Sequence, residues 1–174
     1  MLSYTENITT VLKAIKESGA KKILDVGGGM GKYALLAKED NISSQAEAGN
    51  MSPEMTIQMD CCEDTKYFVN QPYHNGLYTN HCHESVFDMK FDNNYDLSLF
   101  IDTVEHWDKQ KTLELLKKIN GLKLISTPLN TVMYTQEYYG DSRHHCSQWT
   151  KEDFKDFEIV KDYTTGYSHI FLIK

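Results

Sequence analysis

The sequence is poor in arginine, in cysteine and in long apolar runs, and each shortage excludes something. Arg143 is the only arginine among 18 basic residues, and the formal net charge is −7. Duplex nucleic acid is gripped mainly by neutralising phosphates, with arginine the usual bidentate reader of phosphate and guanine. The composition therefore argues against a general duplex binder, while leaving room for a local path to one RNA end. Four cysteines, Cys61, Cys62, Cys82 and Cys146, are too few and too irregularly spaced for a disulfide framework in 174 residues, so reduced thiols are expected. No apolar run approaches the roughly 20 residues of a membrane-spanning helix. The opening stretch MLSYTENITTVLKAIK alternates polar and apolar side chains instead of forming the apolar core of a secretory signal. The expectation is a cytoplasmic protein with no membrane partner. Repeats, low-complexity tracts and Pro/Gly-rich linkers are missing too, which leads us to expect one domain over residues 1–174.

What is present is an alternation of strand and helix signals. Ile8, Val11, Leu12 and Ile15 follow helical spacing, and Ser18-Gly19 closes that helix. Ile23 to Val26 forms a short apolar strand that breaks at glycines, and Lys32 to Lys38 reads as the next helix. Asn41 to Pro53 is polar and reads as a loop. Met55 to Met59 reads as a second strand ending at Asp60, and Gly76 to Asn80 as a weak third. Tyr95 to Ile101 is a clearer strand, followed by a helix over Lys109 to Ile119 and a strand over Leu122 to Ser126. Glu158 to Tyr163 and Ser168 to Ile173 are two closing strands joined through Gly166. The pattern predicts an α/β, Rossmann-like fold: a mostly parallel seven-stranded sheet with an antiparallel C-terminal strand and helices on both faces.

A strand that ends in a glycine-rich turn and opens a helix suits an adenosyl ligand, because glycines allow positive φ and the helix N-terminus offers free amides. Spacing separates the ligand classes. A phosphate-cradling G-x-x-x-x-G-K-[ST] needs glycine at position 26 and Ser or Thr at position 33, where Val26 and Tyr33 stand. A dinucleotide G-x-G-x-x-G starting at Gly27 needs a glycine where Lys32 stands, which argues against a nucleotide-dependent oxidoreductase. The pattern that fits is D-x-G-x-G-x-G, with Asp25, Gly27, Gly29 and Gly31.

With these residues in place the chain resembles the class I S-adenosylmethionine-dependent methyltransferases. ILDVGGGMGKYALLA carries the turn, YDLSLFIDTVEHWDKQKTLELLKKI matches the family's fourth strand and following helix, and LISTPLN its fifth strand. The resemblance implies S-adenosyl-L-methionine as cofactor. Asp25, Gly27, Gly29 and Gly31 would surround its methionine part, and Asp60 would accept from the ribose hydroxyls. Glu84 or Ser85 would lie near the adenine, with Ile101 and Asp102 closing the pocket. Asp60 lies 29 residues beyond Gly31, against about 20 in dinucleotide folds.

Methyl transfer from a sulfonium needs an aligned nucleophile and sometimes a base. The N/D-P-P-Y/F motif of amino-directed nucleic-acid methyltransferases is missing after the fourth strand, and so is a Pro-Cys pair for pyrimidine attack. Two polar clusters remain, Asp102-Thr-Val-Glu-His106 and Arg143-His-His-Cys-Ser-Gln-Trp149. Small methyltransferases of glycans and metabolites resemble this chain in having E-H after strand four and H-x-S-x-W later. That likeness makes Glu105, His106 and His145 the candidate catalytic residues around a small-molecule or glycan hydroxyl or amine, with no metal assigned. The small-RNA 3′-terminal 2′-O-methyltransferases are similar in a different way. They hold a divalent ion through E-x-x-E-H and a later histidine, a set that Asp102, Glu105, His106 and His145 would imitate with Asp for the first Glu. A Glu-His pair also simply caps helices, and a silent cofactor-binding module is a third reading. Trp149 is expected in the core. His81, Cys82, His83 and Cys146 have no recognised zinc spacing. Tyr134, Tyr138 and Tyr139, within a candidate lid over Asn130 to Gly140, suggest an aromatic wall beside the acceptor.

Overall fold

The computed structural model describes residues 5–49, 56–65, 68, 76–91, 94–129, 135–138 and 141–174, with the backbone alone for 135–138 and 141–144. Helix α1 (Ile8–Ser18) buries Val11, Ala14 and Ile15 and stops at Gly19, whose φ of 66° and N–H bond to Lys16 O close the last turn. Strand β1 (Lys22–Val26) leads into α2 (Lys32–Glu47). Then come β2 (Gln58–Cys62), β3 (His81–Cys82), β4 (Leu97–Ile101), α3 (Lys109–Lys118) and β5 (Leu122–Pro128). A hairpin of β6 (Thr135–Tyr138) and β7 (Asp141–His144) precedes β8 (Ile159–Asp162) and β9 (Ser168–Ile173).

The main sheet has seven strands in the order β3-β2-β1-β4-β5-β9-β8. β1, β2, β3, β4 and β5 pair in parallel, and β9 runs antiparallel to both β5 and β8. Six strands thus share one direction and β9 opposes them, as the strand–helix alternation predicts. Side chains alternate between two cores. Ile23, Met59, Leu97, Leu99 and Leu124 meet α1 and α2 on one face. Leu24, Val26, Phe100, Ile125 and Phe171 meet α3, Trp149 and Phe154 on the other. Burial on both faces explains why these strands read as continuous apolar runs, and each such side chain contributes about 1.5–3 kcal/mol.

The largest differences from the sequence reading are in α2, β2 and the third strand. α2 extends to Glu47, so the expected loop over Asn41 to Pro53 is helical for its first half, and residues 50–55 lie outside the described residues. That half has no apolar stripe. It is held by Gln45 Nε2 donating to Asn41 Oδ1 at 2.7 Å and by Lys16 Nζ reaching Ser44 Oγ at 2.9 Å. Strand β2 starts and ends three residues later than expected, which puts Asp60 in mid-strand. The ladder to β2 begins at Thr79 and Asn80, through Thr79 N to Met59 O at 2.7 Å and Cys61 N to Asn80 O at 2.9 Å, but the third strand itself is His81–Cys82. Among the described residues no helix is long and apolar enough to cross a membrane.

Candidate functional site

From β1 the chain steps outward to β2 and β3, then returns to place β4 on the other side of β1. The crevice outside the carboxyl ends of β1 and β4 is therefore the point where strand order reverses, the usual ligand position in an open α/β sheet. A cleft of about 640 Å³ opens there, within the roughly 300–1,000 Å³ typical of small-molecule sites. Asp25 through Met30 form its floor, Cys62 through Thr65 one wall, and Ile101, Asp102, Thr103, His106 and Trp107 the other. Glu84 and Val86 close one end, and Lys32 enters from α2.

The turn between β1 and α2 has positive φ at Gly27 (70°), Gly29 (54°) and Gly31 (74°), a backbone that side chains resist. Gly28 is required for a different reason. A methyl group there would lie 2.7 Å from the Tyr78 hydroxyl and 2.9 Å from Cys61 Sγ. The turn is tied to the β2 wall by Gly29 N donating to Glu63 Oε2 at 2.9 Å, while Thr65 N donates to Glu63 Oε1 at 2.8 Å. Below it, the Tyr78 hydroxyl donates to Asp25 Oδ2 at 2.6 Å. Burial pushes the Asp25 carboxyl up to about 6, against the pull of the Tyr78 hydrogen bond and with a further push from Glu63.

Of the residues assigned to the cofactor from sequence, Asp25, Gly27, Gly29, Glu84, Ile101 and Asp102 line this cleft. Gly31 and Ser85 do not. Gly31 caps α2 and packs on Leu77 and Tyr78, and Ser85 Oγ turns back to Phe87 N. Asp60 is also outside. Its Oδ1 accepts from Asn80 N and Nδ2 at 3.1 and 2.9 Å, and its Oδ2 from the Tyr95 hydroxyl at 2.9 Å. Its carboxylate stitches β2 to its neighbours. The acid that follows β2 and faces the cleft is Glu63, three residues on, which the sequence reading missed. Two buried cysteines after Asp60 were the available signal that the strand continues. Lys32, Asp64, Thr103 and Tyr78 were likewise not singled out as binding residues.

Glu105, His106 and His145 come together beyond β4, and of the three His106 lines the cleft. Glu105 follows β4 in a short turn and is fully buried, and among the described residues neither of its carboxylate oxygens makes a hydrogen bond of good geometry. Burial, and then the neighbouring Asp102 carboxylate, hold its pKa well above the usual range. The H-x-S-x-W segment reaches this turn through main-chain tethers: Cys146 N and Ser147 N donate to Glu105 O at 2.8 and 3.1 Å. Ser147 Oγ and Trp149 Nε1 both donate to Val104 O at 3.2 Å, and Trp149 stacks on Phe154 at 5.3 Å. Serine and tryptophan thus anchor the segment in the core so that the His145 ring stands 4.8 Å from that of His106. Burial lowers the His145 pKa. One ligand atom from each of Glu105, His106 and His145 lies within 4.8 Å of the others, an arrangement that can hold a divalent ion. Asp102 stands apart from that set, its Oδ1 accepting from Ser126 Oγ at 3.1 Å. Tyr134 and Tyr139 lie outside the described residues, as do the side chains of Tyr138 and Arg143, and of the lid only the 135–138 backbone is described.

No protein-family model matches the sequence, and no curated protein does. Solved structures match over nearly the whole chain. An rRNA methylase from Escherichia coli aligns at TM-score 0.61 with 17% identity, over 97% of this chain and 63% of that protein, so the chain spans less than two thirds of its length. The magnesium protoporphyrin IX methyltransferase of Synechocystis PCC 6803, with bound S-adenosylhomocysteine, aligns at 0.65 with 12% identity over 97% and 82%. The methyltransferase domain of bacterial CtHen1 aligns at 0.57 with 16% identity over 97% of both chains. With the strand order, the antiparallel β9 and the glycine turn already described, these likenesses establish that the chain has the fold of the class I S-adenosylmethionine-dependent methyltransferases.

Proposed function

We propose that the protein is an S-adenosylmethionine-dependent methyltransferase acting on a hydroxyl of a small molecule or glycan. The observation that carries the cofactor assignment is the charge of the cleft. Asp25, Glu63, Asp64, Glu84 and Asp102 line it, against Lys32. Such a set repels pyrophosphate and favours a ligand with a net positive charge, which a sulfonium with an amino-acid tail supplies. Asp25 is placed for the ammonium of that tail, Lys32 for its carboxylate, Glu63 for the ribose diol, and Glu84 with Val86 for the adenine end. When bound, the cofactor supplies the methyl group and the sulfur that leaves.

The chain's own contribution is orientation and a proton acceptor. His106 lines the cleft, and an imidazole nitrogen there takes the acceptor's hydroxyl proton as the new C–O bond forms. His145, with its lowered pKa, stays neutral beside it. Titration calorimetry with S-adenosylhomocysteine tests the cofactor assignment: micromolar binding is expected, abolished in Gly29→Val, and silence at millimolar ligand would sink it.

The convergence of Glu105, His106 and His145 favours a second reading, in which they grip a divalent ion that chelates a vicinal diol such as an RNA 3′ end. Glu105 must then lose its proton on metal binding, so affinity for the ion would rise with pH. Transfer of labelled methyl into fractionated small molecules, glycans, RNA and protein, with and without chelator, separates the two. Chelator-resistant transfer supports the first reading, and chelator-sensitive transfer the second. Cofactor binding without transfer to any fraction identifies a silent binding module.

A further inference from the structure

Tyr78 belongs to no motif, yet it reaches the underside of the cofactor turn from two strands away. Its position is fixed by pairing of its neighbours to β2, through Thr79 N to Met59 O and Cys61 N to Asn80 O, and by an edge-on contact of its ring with His81 at 5.2 Å. The ring also packs under Gly31. From there its hydroxyl makes the 2.6 Å bond to Asp25 Oδ2 and fills the space that a side chain at position 28 would need. The phenol is buried, and burial and the Asp25 charge both raise its pKa, so it stays a donor at every working pH.

We propose that Tyr78 is a positioning residue of the cofactor site, whose hydroxyl fixes the rotamer and the negative charge of the Asp25 carboxylate for the ammonium end of the cofactor. The proposal rests on the reading of the cleft as a site for S-adenosylmethionine. Asp25 is fully buried among groups that otherwise disfavour its charge. Cys61 from β2 and Glu63 after it offer no cation. Its register partner on β4 is Leu99, and Lys32 interacts electrostatically with Asp102 instead. The Tyr78 hydroxyl, donating to Oδ2, is what favours the charged form.

Tyr78→Phe keeps the ring and removes the hydroxyl. Carbon-13 NMR of labelled aspartate carboxyls, with Asp25 assigned by its loss in Asp25→Asn, reads the charge without any ligand. The wild-type midpoint is expected at about 6, and in Tyr78→Phe it should rise by about one pH unit or more, the consequence of losing one hydrogen bond to a charged group. Affinity for S-adenosylhomocysteine should then fall about three- to sixfold at pH 6–6.5 and stay within about twofold at pH 8. Leu77→Ala, which loosens packing under Gly31 without touching Asp25, should weaken binding equally at all pH values. An unmoved Asp25 midpoint in Tyr78→Phe, or a loss of affinity with no pH dependence, overturns the proposal. A wild type that binds no S-adenosylhomocysteine at any pH removes the cofactor reading itself, and the NMR midpoint still decides whether Tyr78 sets the Asp25 charge.

Discussion

Asp25→Asn should make the folded protein more stable at neutral pH while harming its site. The carboxyl has an ordinary value of 3.8 and stands at about 6 in the folded chain, chiefly because it is buried. The folded state therefore holds the proton more tightly than the unfolded state between those two values. Its favourable contribution is complete below about pH 4 and is lost as pH rises through 6. At about 1.4 kcal/mol per pH unit, the deficit above pH 7 amounts to about 3 kcal/mol, a large share of the roughly 5–15 kcal/mol that holds a domain together. Asparagine keeps the shape and an oxygen for the Tyr78 hydroxyl but carries no charge. Urea unfolding of both proteins at pH 4, 6 and 8 gives the difference directly. The variant should gain stability relative to wild type by up to about 3 kcal/mol between pH 4 and 8. A constant offset from altered packing moves all three points together, so the slope is the diagnostic. A flat difference would refute the argument that burial of this charge costs stability.

Gly28→Ala should weaken S-adenosylhomocysteine binding at least about tenfold and cost about 1–3 kcal/mol of stability, because the methyl meets the Tyr78 hydroxyl and Cys61 Sγ. Adding Tyr78→Phe should recover part of the stability in urea unfolding; no recovery would place the clash elsewhere. Glu105→Gln should flatten the pH dependence of stability. The folded carboxyl is held well above its usual value, so wild type loses stability as pH rises through the folded value and the variant does not; unfolding midpoints at pH 5 and 9 check it. Trp149→Ala should cost about 3–5 kcal/mol, since the ring is fully buried on Phe154 and donates to Val104 O, and should loosen His145 enough to lower turnover more than cofactor affinity.

What was legible in the sequence follows from how each element is stabilised. β1, β4 and β9 are buried on both faces, so their apolar runs announce them. The glycine turn is legible because its backbone admits few residue types. The second half of α2 was not, since Asn41, Ser44 and Gln45 have no apolar spacing and are held by a polar pair within the helix and by a bond from Lys16 that exists only once α1 is in place. Asp60 misled for a related reason. An aspartate after an apolar stretch reads as a turn, but Asn80 and Tyr95, 20 and 35 residues away, satisfy its carboxylate in mid-strand. Once Asp60 is internal, the strand-end acid moves to Glu63. Tyr78 left no sequence signal because its role depends on the pairing that carries it under the turn.

Departures from ordinary backbone and burial rules converge on the same few residues. Asp102 is the one non-glycine residue with positive φ, 51°, among those described, a conformation that costs about 1–3 kcal/mol. It directly follows β4, held by Asp102 N to Ser126 O at 2.8 Å and by the Ser126 hydroxyl. Asp25 is a buried charge on the adjacent strand, Glu105 a buried carboxyl three residues after Asp102, and the three left-handed glycines of the turn lie between β1 and α2. Most of these flank the crevice between the carboxyl ends of β1 and β4. A chain selected for stability alone would not gather unfavourable charges and strained backbone in one place, and a sequence that specifies its fold consistently elsewhere breaks the rules where a ligand is held. The strain at Asp102 therefore locates the site independently of the glycine motif. It also explains why Asp102, although part of the D-x-x-E-H run, stands apart from Glu105, His106 and His145: its left-handed backbone and its bond to Ser126 turn it away from the cluster those three form.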